Sequence, residues 1–89
     1  MEIKLHFLPE VPNESCEVVG FHYNIQTGNI YAVMSTSYST KYKMFCAFDG
    51  MSKELFEERK ESIQTYNDGI IAWAYMSDVV NEVFDEING

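Results

Sequence analysis

Polar and apolar positions alternate from the start of the chain. Ile3, Leu5 and Phe7 are separated by Lys4 and His6, the period of a half-buried strand. Residues 8–15 break that period. They hold both prolines, Pro9 and Pro12. Proline fixes φ and restricts the residue before it, so this stretch predicts an extended loop. Residues 16–25 predict a second strand, with Val19, Phe21, Tyr23 and Ile25 on one face and Gly20, His22 and Asn24 on the other. Gln26-Thr27-Gly28-Asn29 predicts a turn with Gly28 at positive φ. Residues 30–38 resume the strand pattern with β-branched and aromatic side chains. After the turn Ser39-Thr40-Lys41, residues 42–48 complete the meander, and Asp49-Gly50 ends it.

The period then lengthens. Ser52 is placed to cap a helix over residues 52–66, with Glu54 in its first turn. At 100° per residue, Leu55, Phe56, Ile63 and Tyr66 form one face and Glu54, Glu57, Glu58 and Glu61 the opposite one. Arg59 falls in phase with the apolar face, where it can snorkel or stack on a ring. Asn67-Asp68-Gly69 stops the helix. Residues 69–76 are almost wholly apolar and predict a central strand covered on both faces. Ser77 predicts the cap of a last helix over residues 78–87. Val79, Val80, Val83, Phe84 and Ile87 make its stripe, and Asp78, Glu82, Asp85 and Glu86 its outer face. The order βββ(β)αβα predicts an α+β fold over residues 1–89 as one domain. It would be an antiparallel sheet of four to five strands with two helices packed on one face.

Charge sharpens this picture. The net charge is −8, from 14 acids and 6 bases. Residues 61–89 hold Glu61, Asp68, Asp78, Glu82, Asp85 and Glu86 and no Lys or Arg, so they carry −6 of it. Phosphate contacts need Lys and Arg, so direct nucleic-acid binding is not expected. Attraction to an anionic membrane surface is disfavoured for the same reason. No apolar run reaches membrane-span length. The N-terminal residues lack the basic-then-apolar pattern of a signal peptide. Two cysteines without C-x-x-C spacing point to a reducing, cytoplasmic setting.

Catalytic chemistry finds little support. His6 and His22 have no ligand spacing around them and read as surface histidines, so no metal or other cofactor is expected. Cys46, between Phe45 and Ala47, reads as a small apolar core residue. Cys16 has no basic neighbour to lower its pKa. There is no nucleophile elbow, P-loop or dinucleotide fingerprint. The carboxylates opposite an apolar stripe have two readings: a solvated face, or a row of charges imitating phosphates. Tyr31, Tyr38, Tyr42, Tyr66 and Tyr75 would count as a binding patch if exposed together.

Leu8-Pro9-Glu10 near the start, the strand-rich middle and Ile71-Ala72-Trp73 near the end resemble a family of short uncharacterised phage and prophage proteins. Members open with an L-P-E segment and close with a tryptophan-bearing strand and a proline-rich tail. Here Tyr75-Met76-Ser77 lacks those prolines, and a helix stands in the tail's place. The resemblance implies a phage or mobile-element origin. By analogy of size, charge and origin, it suggests an inhibitor of the anti-CRISPR or anti-restriction type.

The leading expectation is a non-enzymatic inhibitor acting in the host cytoplasm on a basic host protein such as a nuclease or CRISPR effector. Its binding residues would be Glu54, Glu57, Glu58, Glu61, Asp78, Glu82, Asp85 and Glu86. The alternative is an assembly protein that self-associates through its sheet, with a homodimer as its simplest form.

Overall fold

The computed structural model describes residues 3–24 and 26–89, leaving aside the side chains of Asn24 and Tyr31. Ile25 of the second predicted strand, the ring of Tyr31, and Met1 and Glu2 lie outside the described residues. The elements are β1 (His6–Phe7), β2 (Cys16–Asn24), β3 (Asn29–Ser39), β4 (Met44–Phe45), α1 (Lys53–Gly69), β5 (Ile70–Tyr75) and α2 (Met76–Asn88). The strands form one antiparallel sheet in the order β1-β5-β2-β3-β4. The expected α+β class and five-stranded sheet are present.

Both outer strands are shorter than their alternation implied, two residues each. The chain between β3 and α1 leaves strand geometry early. Lys43 and Cys46 have φ of 57° and 66°, left-handed values that no ladder accommodates. The long hairpin β2–β3 turns at Gly28, whose φ of 74° needs glycine, as predicted. The Leu8-Pro9 bond is cis.

Register identifies the two faces, because residues directly opposite in an antiparallel pair point the same way. Cross-strand pairs place His6, Trp73, Gly20 and Met34 in one row, and Val18 with Tyr75 and Thr36 in the next. This first face holds the core of Val18, Tyr38, Phe45, Ile70 and Trp73. The opposite face carries Phe7, Ala72, Phe21 and Val33 in one row and Ala74, Val19 and Ser35 in the next.

The first face is the one that reads as polar in β2, with Gly20 and His22. Its bulk comes from β5. Trp73 is fully buried there opposite Gly20. A Cβ on Gly20 would lie 3.4 Å from Ile70 Cδ1, so the missing side chain admits β5's large residues. The expectation of surface histidines is therefore corrected: His6 and His22 are both buried. His6 stacks on Trp73 with centroids 4.2 Å apart, and His22 meets Tyr66 edge-on at 5.7 Å.

Ser52 caps α1 as predicted, accepting the Leu55 N–H at 3.1 Å. Ile63 is buried with Ala47 and Met51, and Tyr42 stacks on Phe56 at 4.2 Å. Asn67 fastens the last turn to β4, accepting from Phe45 N and donating to Phe45 O, both at 2.9 Å. Arg59 points into solvent. The second helix differs from expectation. It starts at Met76 directly after β5, with Tyr75 as N-cap and no side-chain cap bond, so Ser77 lies inside it. None of its residues is buried.

Candidate functional site

The eight carboxylates expected to bind a partner divide into two unequal sets. On α1, Glu54, Glu57, Glu58 and Glu61 are all exposed. They share the helix with Lys53, Arg59 and Lys60, and Lys60 lines the same shallow depression as Glu57 and Glu61. On α2, Asp85 and Glu86 are exposed and Asp78 and Glu82 half-buried, with no base anywhere on the helix. The partial charge at a helix C-terminus is negative and repels carboxylates by about 0.3–1 kcal/mol each. Asp85 and Glu86 stand in the last turn of α2, where no base offsets that repulsion.

A cavity of about 300 Å³ lies between the first face and α1. It is lined by His22, Ala32, Met34, Thr65 and Tyr66. Burial holds the His22 ring below its ordinary pKa, favouring the neutral imidazole. The Thr65 hydroxyl donates to the Glu61 carbonyl of its own helix at 3.0 Å.

Two polar clusters are structural fasteners. Glu10 accepts the Trp73 indole N–H on its backbone carbonyl at 2.8 Å, and its carboxylate lies 2.6 Å from His6 Nδ1. The Leu8 N–H donates to Ile71 O at 3.0 Å. The Leu8-Pro9-Glu10 segment and Trp73, distant in sequence, are in this way tied together. Asp49 accepts from the hydroxyls of Ser15 and Ser39, each at 2.7 Å. These bonds hold its carboxyl below the usual carboxylate range, with the Lys41 N–H and charge assisting. They pin the loop before β2 to the segment after β3. A serine hydrogen-bonded to a carboxylate without an intervening histidine lacks the general base of a catalytic triad.

Cys16 and Cys46 are free and half-buried. Burial, and secondarily Glu14, pushes the Cys16 thiol above its ordinary pKa, away from thiolate reactivity. Among the described residues no group of three or more His, Cys, Asp or Glu side chains is placed to hold a metal ion. Among them, too, no helix is long and apolar enough to cross a membrane.

Among the described residues, Tyr38, Tyr42, Tyr66 and Tyr75 do not gather into one exposed patch. Tyr38 is buried, and Tyr42 donates its hydroxyl to Met51 O at 2.6 Å. Tyr75 is half-buried, packed edge-on against Trp73, while Tyr66 is exposed. Sequence reasoning missed the exposed apolar surface instead. Val80, Val83, Phe84 and Ile87 of α2, and Phe7 and Val33 of the second sheet face, are all open to solvent.

No protein-family model matches this chain, and neither a curated protein nor a solved structure does.

Proposed function

We propose that the protein is a non-enzymatic binding protein of phage or mobile-element origin. It would inhibit a nucleic-acid-handling host protein, of the anti-CRISPR or anti-restriction type, by presenting carboxylates to a groove built for phosphates. The observation that carries this reading is the charge placement on α2. A helix made only for solubility places acids in its first turn and bases in its last. Asp85 and Glu86 sit in the last turn against that preference, on a helix with no base. Local stability given up at an exposed surface is a signature of a residue kept for a partner. The α1 carboxylates, interleaved with Lys53, Arg59 and Lys60, contribute less net field.

The test uses tagged full-length chain against bacterial lysate at low and high salt, with captured proteins identified by mass spectrometry. The expected capture is a nuclease or other nucleic-acid enzyme, released at high salt. A D78N/E82Q/D85N/E86Q variant should lose it, while neutralising Glu54, Glu57, Glu58 and Glu61 should cost less. Equal capture by the α2 variant would overturn the reading.

A further inference from the structure

Among the described residues, the longest stretch of unpaired sheet backbone is the outer edge of β3. This strand runs for 11 residues. On its inner side it pairs with β2 along its length, and on its outer side with β4 only at Tyr38 and Ser39. The Cys46 N–H donates to Ser37 O at 2.8 Å, so the polar backbone groups of Ser37 face outward. Backbone groups alternate sides along a strand in an antiparallel ladder. Val33 and Ser35 therefore direct their N–H and C=O groups to the same open side. The β2–β3 ladder is regular from Ala32 to Tyr38, with its register shift confined to the hairpin end.

Proteins blunt such edges with short strands, charged side chains or prolines. The strands β1 and β4 are short, two residues each. The free edge of β3 has neither shortness nor charge nor proline. From Tyr23 to Thr40 the chain contains no Asp, Glu, Lys, Arg, His or Pro. Thr65 and Tyr66 of α1 share a cavity with Ala32 and Met34 on the first face. Val33 and Ser35 stay exposed, Val33 at 59%.

Two features identify the occupant. The first is the shape of the free stretch. An added strand must stop at Ser37, where β4 begins, and can run on past Asn29, where β3 turns away at Gly28. A second copy of β3, related by a two-fold axis at Val33, meets both conditions at once. It enters antiparallel, with Ile30 of each copy opposite Thr36 of the other, and each β4 falls in the space beyond the other's turn. The second feature is charge. Each copy carries −8, and like charges at close range repel. The edge of β3 lets two acidic copies meet without facing carboxylates. The same lack of charge gives this edge nothing with which to select a basic protein.

We propose that two copies join edge to edge through β3 and form one continuous antiparallel sheet across a two-fold axis. Residues 30–36 of each chain make the new ladder, about 23 Å long. The second helix touches β2 and β5 and stays clear of this ladder, so the dimer leaves its carboxylates accessible.

Sedimentation equilibrium and native mass spectrometry of the full chain should give twice the 10.3 kDa of one chain. Site-resolved hydrogen exchange reads the edge directly. The Val33 and Ser35 amides should exchange freely in dilute protein and become protected as concentration rises into the dimeric range. Two variants block the edge from its open side. Val33→Lys adds a charge, and Ser35→Pro removes an N–H that the β2 ladder does not use. Each should weaken the dimer at least about tenfold with an unchanged circular dichroism spectrum. Phe84→Glu, on α2, should leave the mass unchanged. A single-chain mass at the highest soluble concentration would overturn the proposal. So would a dimer whose Val33 and Ser35 amides stay exchangeable, or one that Phe84→Glu dissociates and both edge variants spare. Protection of those amides only on capture of a lysate protein would give the edge to a foreign strand and overturn it too.

Discussion

The two helices carry the same kind of sequence pattern and meet opposite fates. Each has an apolar stripe and an acidic back. In α1, Ile63 is buried, Phe56 is stacked on Tyr42, and Asn67 is bonded to the backbone of β4. In α2 the cleaner stripe of the two faces water. The difference lies in what precedes each helix. The segment 46–52 reverses the chain ahead of α1 and supplies Ala47 and Met51 to its underside. Nothing reverses the chain ahead of α2. Amphipathicity thus states that a helix has a face to bury, and the connection decides whether its own chain can bury it.

The largest expected effect tests whether α1 is the packed helix. Ile63→Ala should cost about 2–5 kcal/mol by chemical denaturation, the usual range for emptying a core site. In dilute protein, Phe84→Ala should change stability by less than about 0.5 kcal/mol, as at an exposed site. Comparable losses at the two positions would abolish the contrast between the helices.

Next comes the fastening of α1 to the sheet edge. Asn67→Ala leaves the Phe45 N–H and C=O without their partner, and should cost about 1–3 kcal/mol. Hydrogen exchange on the variant should loosen β4 and the end of α1 and leave α2 unchanged. A uniform loss of protection would show that the two helices are not independent.

The caps sharpen the comparison further. Ser52→Ala removes the bond to the Leu55 N–H and should cost about 1 kcal/mol. Ser77→Ala, inside α2 and without a cap bond, should be close to neutral in the same assay.

The smallest effect is a pH dependence carried by α1's docking over His22. Burial lowers the folded-state pKa of this ring below its ordinary 6.5. Below about pH 6.5 the unfolded chain binds a proton that the folded chain resists, so stability falls as pH drops through that value and levels off below the folded pKa. His22→Gln should flatten this part of the stability profile between about pH 7.5 and 5.5. A profile unchanged by the substitution would assign the slope to other groups.

Much of the fold was legible from local pattern. The β2–β3 hairpin, its turn at Gly28, the cap at Ser52, the apolar central strand and both helices each follow from rules that act within a few residues. Edge strands were legible only in part. Alternation in residues 3–7 and 42–48 promised more pairing than two residues apiece, because ladder length depends on the partner strand's path and on backbone turns such as those at Lys43 and Cys46. The candidate surface was legible as composition, since the acids of α2 are contiguous in sequence. Its exposure was not, because the stripe beside them read as core.

By itself, then, the sequence determined which segments pair or coil, where the main hairpin turns and where the negative charge accumulates. Periodicity, capping and turn chemistry are short-range, and charge is additive. Tertiary structure alone decided which sheet face became the core. Read within β2, the face with Gly20 and His22 is the poorer one, yet Trp73 and Ile70 arrive from β5 some fifty residues later and bury it. It also decided that His6 lies against Trp73, and that Val83, Phe84 and Ile87 are left open. Burial is a property of what comes from elsewhere in the chain, or from a second chain, and no local pattern contains it.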